Sequence, residues 1–362
     1  MPSEGNSKHP MDLQQRINAF VQLGRFLAQF SSEIPSEDSS VEKNDLFFLK
    51  MLDVVRQASF HNGWFTEENL RFAFKSWGEA LTKDNLNSWL SRYEFKETES
   101  KTIAIIMAGN IPLVGFHDFL SVLITGNKVL AKLSSNDKIL LPFLATYLIE
   151  IAPEFNDKIE FTEGRVTNFD AVIATGSNNT AKHFEYYFGK YPNIIRKNRN
   201  SVAVLTGRET KEQLEPLATD VFQYFGLGCR NVSKLFIPEN FDFHPLFEAM
   251  FSKKEYINNH KYINNYDYNK AVYLMSNIKL LDNEFLLLKE DEGYSSPISV
   301  LFYEYYKDVP SLKTKLKAES GNIQAVISSV GIENEIPFGH AQHPALWEYA
   351  DGVDTLEFIL DL

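Results

Sequence analysis

Apolar residues near the start of the chain recur at helical spacing. Leu13, Ile17, Phe20, Gly24 and Leu27 share one side of a 3.6-residue repeat, which predicts an amphipathic helix over 12–30. The acidic, serine-rich SSEIPSEDSSVEK (31–43) then reads as an exposed linker, and 44–93 carries further helical patterns with Trp64, Trp77 and Trp89. From residue 101 the texture changes to short apolar runs separated by helix-length segments. KTIAIIMA, KVLAKL, DAVIAT and SVAVLTG predict buried strands; 112–125, 137–151, 178–188 and 209–224 predict helices. Such alternation gives a largely parallel sheet with right-handed crossovers. After Cys229, VSKLFIPEN is another strand, so a second α/β unit is expected to begin near 206. YINN occurs twice within 256–270, too few copies for a repeat architecture, and marks a surface helix and loop. The tail from 336 ends in an amphipathic strand or helix that should dock onto the body.

Length and charge narrow the function classes. A chain of 362 residues exceeds one ordinary hydrophobic core and favours two domains or one large α/β body with an appended piece. A formal net charge of −12 argues against nucleic acid as the main partner, since phosphate binding needs a basic face. The single cysteine cannot form an internal disulfide and suits a reducing compartment. MPSEGNSKHPMDLQQ lacks the apolar core of a signal peptide. The most apolar stretch, 102–133, is interrupted by Gly109, Asn110, Pro112, His117, Asp118, Gly126 and Asn127, which is too broken for a membrane span. A cytoplasmic location is expected.

Candidate chemistry gathers at strand ends. In Phe-Gly-Leu-Gly-Cys-Arg-Asn (225–231) two glycines precede the only thiol, so Cys229 is either a presented nucleophile or a small packed residue. The pair Gly226 and Gly228 begins like a dinucleotide fingerprint, but the third glycine is missing and a helix, not a strand, precedes it. Asn110, in MAGNIP, closes the strand KTIAIIMA before a helix with Pro112 in its first turn. Its carboxamide either caps that helix or donates to a developing oxyanion. Lys132, Ser134 and Ser135 end the next strand with groups suited to a ribose or phosphate, and Gly176 with Ser177 open a helix whose N–H groups suit a pyrophosphate. His340 and His343 supply two metal ligands at most, and no metal is expected.

The order GNIP (109–112), VLAKLSS (129–135), IATGSNN (173–179) and GLGCRNVSKLFIP (226–238) resembles the aldehyde dehydrogenase superfamily, and within it the fatty acyl-CoA reductases of the bacterial bioluminescence type. The resemblance runs from about residue 100 onward. It implies an α/β fold of two Rossmann-like parallel-sheet domains with a helical N-terminal layer: 1–100 as that layer, 101–205 with the tail 336–362 as the NADP-binding domain, and 206–335 as the catalytic cysteine domain. It further implies Cys229 as catalytic thiol, an oxyanion hole from Asn110 and the Cys229 N–H, and cofactor contacts at Lys132, Ser134, Ser135, Gly176 and Ser177. Glu292, ahead of PISV, is the candidate for the nicotinamide ribose.

Two departures refine the implied activity. The family's general-base glutamate has no counterpart in IIRKNRN (194–200), which favours acyl exchange and reduction over hydrolysis. At the ribose position Ser135 stands where NAD-preferring members carry an acid, so NADPH is the expected cofactor. The expectation is an NADPH-dependent reductase converting an acyl-CoA to an aldehyde through a cysteine thioester, with room for a homo-oligomer. The alternatives are a reductase of an acyl phosphate or protein-bound thioester, and a non-catalytic binding protein of the same fold.

Overall fold

A computed structural model describes residues 11–96 and 99–362. The chain divides into two compact units, the first running through Lys197 and resuming at Ala345–Leu362, the second comprising Asn198–Pro344.

Unit 1 begins with four helices, α1 (Leu13–Ala28), α2 (Asn44–His61), α3 (Glu67–Ala80) and α4 (Lys83–Leu90). Helix α1 starts at a capping box in which Asp12 accepts from the Gln15 N–H and the Gln15 side chain accepts from the Asp12 N–H. Its apolar stripe, Ile17, Phe20, Leu23 and Leu27, is buried as the periodicity predicts. Next come β1 (Thr102–Ile106), α5 (Phe116–Ile124), β2 (Lys128–Lys132), α6 (Leu140–Ile151), β3 (Ile159–Thr162), β4 (Ala171–Thr175), α7 (Asn178–Phe188) and β5 (Asn193–Arg196). The five strands form one parallel sheet in the order β3-β2-β1-β4-β5. The chain winds outward through β2 and β3, then returns to the other side of β1. That reversal lies between β1 and β4.

Three expectations change here. The helix placed at 112–125 begins at Phe116, because Leu113 takes a left-handed φ of 57° and Pro112 lies in the preceding turn. Two strands, β3 and β5, escaped the apolar-run criterion. The strand SVAVLTG belongs to the second unit, so the expected boundary near 206 moves ahead of it.

Unit 2 contains β6 (Asn200–Val204), α8 (Lys211–Phe222), β7 (Val232–Pro238), α9 (His244–Met250), α10 (His260–Met275), β8 (Leu281–Asp282), β9 (Leu287–Glu290), β10 (Val300–Tyr306), α11 (Val309–Ala318) and β11 (Ile323–Ile327). Its sheet runs β11-β6-β7-β10-β9-β8, parallel except for the short β8 edge. Strand β6 is held on both sides, by β7 and β11, which fixes its membership.

The segment after residue 344 returns to unit 1. His117 Nε2 lies 2.8 Å from the Leu346 carbonyl, and Trp89 Nε1 donates to the Tyr349 hydroxyl at 2.7 Å. Tyr93 donates to Asp354 at 2.6 Å, and Asp354 caps the closing helix α12 (Thr355–Leu360). Deeper inside, Arg196 at the end of β5 grips Asp118 of α5 with both terminal nitrogens, one bond being 2.8 Å, and donates to Thr355 at 3.0 Å. Asp118 and Arg196 are 4% and 6% exposed, so each ion is lost to solvent and depends on the other.

In unit 2 the carboxylate of Asp220, fully buried on α8, accepts the N–H groups of Gly339 and Ala341 at 2.6 and 3.0 Å. Burial raises its pKa from 3.8 to about 6 against the pull of those bonds.

Two outcomes follow from these buried ions. All four tryptophans, Trp64, Trp77, Trp89 and Trp347, belong to unit 1, so their fluorescence follows its unfolding selectively. Arg196→Met should destabilise that transition in urea by about 3–5 kcal/mol, and adding Asp118→Leu should recover much of the loss; an unchanged midpoint for Arg196→Met would remove the pair from this role. For Asp220, the folded state holds the proton more tightly than the unfolded chain, so its contribution is complete below about pH 4 and is lost as pH rises through about 6. Subtracting the pH–stability curve of Asp220→Asn, followed by far-UV circular dichroism, should leave a component that falls over that window; a flat difference would contradict it.

Candidate active site

In unit 1 the C-terminal ends of β1, β2 and β4 stand level, since Ile106 is in register with both Lys132 and Ala174. Open parallel sheets bind ligands beyond such ends, at the point where strand order reverses. The loop after β1 passes against the turn after β2. A Cβ on Gly109 would fall 2.5 Å from the Ser134 Oγ, so only glycine permits this approach. Ser134 orders its own turn by accepting the Asn136 N–H at 3.2 Å, while Lys132 is half-buried and Ser135 exposed. Asn110 sits on the loop itself. Helix α5 starts six residues later with Gly115 at its N-cap, so the helix-capping alternative for Asn110 falls away.

Beyond β4 the chain turns through Gly176 into α7. The Ser177 side chain accepts the Thr180 N–H at 3.3 Å as N-cap, and 177–179 are exposed. A Cβ on Gly176 would meet Phe184 and Thr180 at 3.0 Å, so the turn is packed tightly onto its helix. The open first turn of α7 therefore faces the same edge as Asn110, Lys132 and Ser134. Six of the candidate residues are brought to one sheet edge of unit 1.

The other two lie in unit 2. Cys229 is exposed and precedes the N-terminal end of β7; its carbonyl accepts from Ser201 Oγ at 3.0 Å. The turn that carries it is conformationally costly. Tyr224, Phe225 and Gly226 take φ values of 54°, 58° and 75°, three left-handed residues in succession. The two aromatic ones each cost roughly 1–2 kcal/mol. Both are buried, Phe225 against Tyr256 and Tyr262 at ring separations of 4.9 and 6.0 Å, which offsets the strain.

Two residues that the sequence did not mark organise this turn. Asn231 is 2% exposed; its amide donates to the carbonyls of Gln223 and Asp220 at 2.8 and 3.1 Å, and its Oδ1 accepts the Gly228 N–H at 2.8 Å. Asp220 holds the 339–341 segment, whose Ala341 carbonyl lies 3.5 Å from an Arg230 nitrogen. A signal for Asp220 was available: it lies three residues beyond Leu217 and six beyond Leu214, a polar group on an apolar face.

Glu292 is not brought beside Cys229. It follows the C-terminal end of β9, whereas Cys229 precedes the N-terminal end of β7, and both strands run parallel to β10 between them. The Glu292 carbonyl accepts from buried Lys234 at 2.7 Å. The segment 291–299 travels back along the sheet before β10 begins, the Tyr294 carbonyl accepting from Ser233 Oγ and the Ser299 carbonyl from the Leu287 N–H.

Comparison with known proteins bears on the fold and the family. The fold is that of aldehyde dehydrogenases. KauB, an aldehyde dehydrogenase from Pseudomonas aeruginosa, is similar with a TM-score of 0.60 at 12% identity, over 88% of this chain and 72% of that one. PutA from Anabaena variabilis gives 0.59 at 12% identity over 89% and 81%. The indole-3-acetaldehyde dehydrogenase AldA of P. syringae, in complex with NAD+, gives 0.58 at 11% identity over 93% and 75%. No curated protein sequence matches the chain. Among the described residues, no helix is long and apolar enough to cross a membrane. The sequence profile of the family described as acyl-CoA reductase (LuxC) matches residues 53–253, more than half of the chain and a span that includes Asn110, the strand ends of unit 1 and Cys229. The chain belongs to the acyl-CoA reductase (LuxC) family.

Proposed function

We propose that this protein reduces an acyl-CoA to an aldehyde, with NADPH as reductant and Cys229 as nucleophile. The observation that carries the reading is the only thiol of the chain, exposed on a strained turn within the span matched by the family. A backbone held at such cost in the native state is a hallmark of functional positions.

The strand ends of unit 1 fit a dinucleotide. Gly109 makes a turn that a side chain could not share without a shift of Ser134, Gly176 a tightly packed one, and the first turn of α7 offers N–H groups to a pyrophosphate. Lys132, Ser134 and Ser135 supply a cation and two hydroxyls for a phosphorylated adenosine ribose, with no carboxylate among them to repel it. Reduced nicotinamide supplies a hydride when bound. The remaining chemistry belongs to the chain. The Cys229 thiolate adds to the thioester carbonyl, the oxyanion is stabilised by amide N–H donors, and the C–S bond to CoA breaks to give an acyl-enzyme. Once reduced, the Cys229 adduct is a thiohemiacetal; its collapse returns the thiolate and releases aldehyde. Hydrolysis lacks its base, because 194–200 contains no acid and Arg196 there is paired to Asp118. Glu292 takes no part in this scheme.

The test is NADPH oxidation, followed by absorbance, with saturated acyl-CoAs of increasing length and with released CoA and aldehyde counted. One CoA and one aldehyde per NADPH are expected, with Cys229→Ser slower by on the order of 10³-fold or more. NADPH oxidation that persists in Cys229→Ser, or proceeds without CoA release, would overturn the mechanism. Asn110→Ala should lower kcat by about 10²–10³-fold while KM changes little. Lys132→Ala should lower kcat/KM for NADPH and leave NADH almost unaffected; equal losses with both cofactors would move Lys132 away from the phosphate.

A further inference from the structure

We infer that Asn231 is a positioning residue for the Cys229 thiol, a role that rests on reading Cys229 as the nucleophile. The left-handed run Tyr224–Gly226 cannot hold itself, so its two ends must be fixed from outside. Asn231 fixes both. One amide proton is directed to the Gln223 carbonyl and the other to the Asp220 carbonyl, ahead of the run, with the Val221 carbonyl at 3.5 Å. Its Oδ1 takes the Gly228 N–H after the run, and its own N–H closes a turn on the Gly228 carbonyl at 3.0 Å. Cys229 is thus bracketed by Gly228 and Asn231, which are bonded to each other, with only Arg230 intervening.

The chemistry selects this side chain. The position needs two donors and one acceptor on a short, buried stem, and only asparagine provides them at that length. Aspartate would keep the bond to Gly228 but turn a negative charge on three carbonyl oxygens. Serine would not span the gap. The charged neighbours are engaged elsewhere, the Asp220 carboxylate with Gly339 and Ala341 and the Arg230 guanidinium toward the Ala341 carbonyl.

Because the chain has one cysteine, alkylation of the full-length protein by iodoacetamide reads the Cys229 thiol alone. Asn231→Ala is expected to slow alkylation at least about tenfold and to lower kcat by about 10²-fold with KM nearly constant, the cost of a misplaced reacting group. Asn231→Asp gives a sharper signature. Its protonated carboxyl regains one donor, so the ratio of its alkylation rate to that of the natural protein should climb toward one as pH falls and drop as pH rises. Wild-type alkylation and kcat in Asn231→Ala, or a pH-independent ratio in folded Asn231→Asp, would overturn the inference. If Asn231→Ala does not fold, the aspartate ratio decides. Altered thiol reactivity in a protein that never turns over acyl-CoA would keep the role of Asn231 and sink the proposed function instead.

Discussion

A carboxylate and a guanidinium shut away from water must face each other, and in unit 1 that requirement joins three elements distant in sequence. Asp118 lies on α5, Arg196 ends β5, and Thr355 opens α12. Helix α5 is buried on nearly every side, so a charge within it is tolerable only where a partner is fixed. The pair therefore ties α5 to the end of the edge strand β5 and to α12. The loop bearing Asn110 hangs between β1 and α5, and its path past Ser134 is defined at both ends. Precision at the strand edge is inherited from an ion pair that does not belong to the site.

Unit 2 solves a similar problem with neutral groups. A turn that the backbone disfavours is held by an amide that gathers helix-end carbonyls, and by aromatic rings that bury its strained residues. Helix-end carbonyls normally look to water or to a glycine cap. Here they are taken by the Asn231 amide, and the helix end becomes part of the turn that carries the thiol.

Much of this was legible in the chain. The strands β1, β2, β4 and β7 announce themselves as continuous apolar runs because both faces of a parallel sheet are covered. Strands β3 and β5 lie at the edges, are short and are only partly buried, so IEFT and NIIR lack that run. SVAVLTG was recognisable as a strand, but its sheet is decided by pairing with β7 and β11, far along the chain. Pro112 suits a helix start, and nothing in the sequence reveals that Leu113 adopts the left-handed conformation that delays it. Asn110, Lys132 and Gly176 stand out in the sequence because strand ends are where open parallel sheets bind ligands. Asn231 was quoted beside the cysteine, yet its work depends on carbonyls eight to eleven residues upstream, which only the folded turn brings within reach.

The return of the chain to unit 1 bears on how the protein is made. Residues 198–344 form a continuous insertion between two parts of one unit, and Trp89, His117 and Arg196 each find a hydrogen-bond partner in the segment after 344. Domains fold as units during synthesis, in the order in which their residues emerge. The unit that starts first is therefore completed last: the nascent chain carries its half-closed core, with Asp118 and Arg196 lacking their last layer of cover, throughout translation of the cysteine-bearing unit.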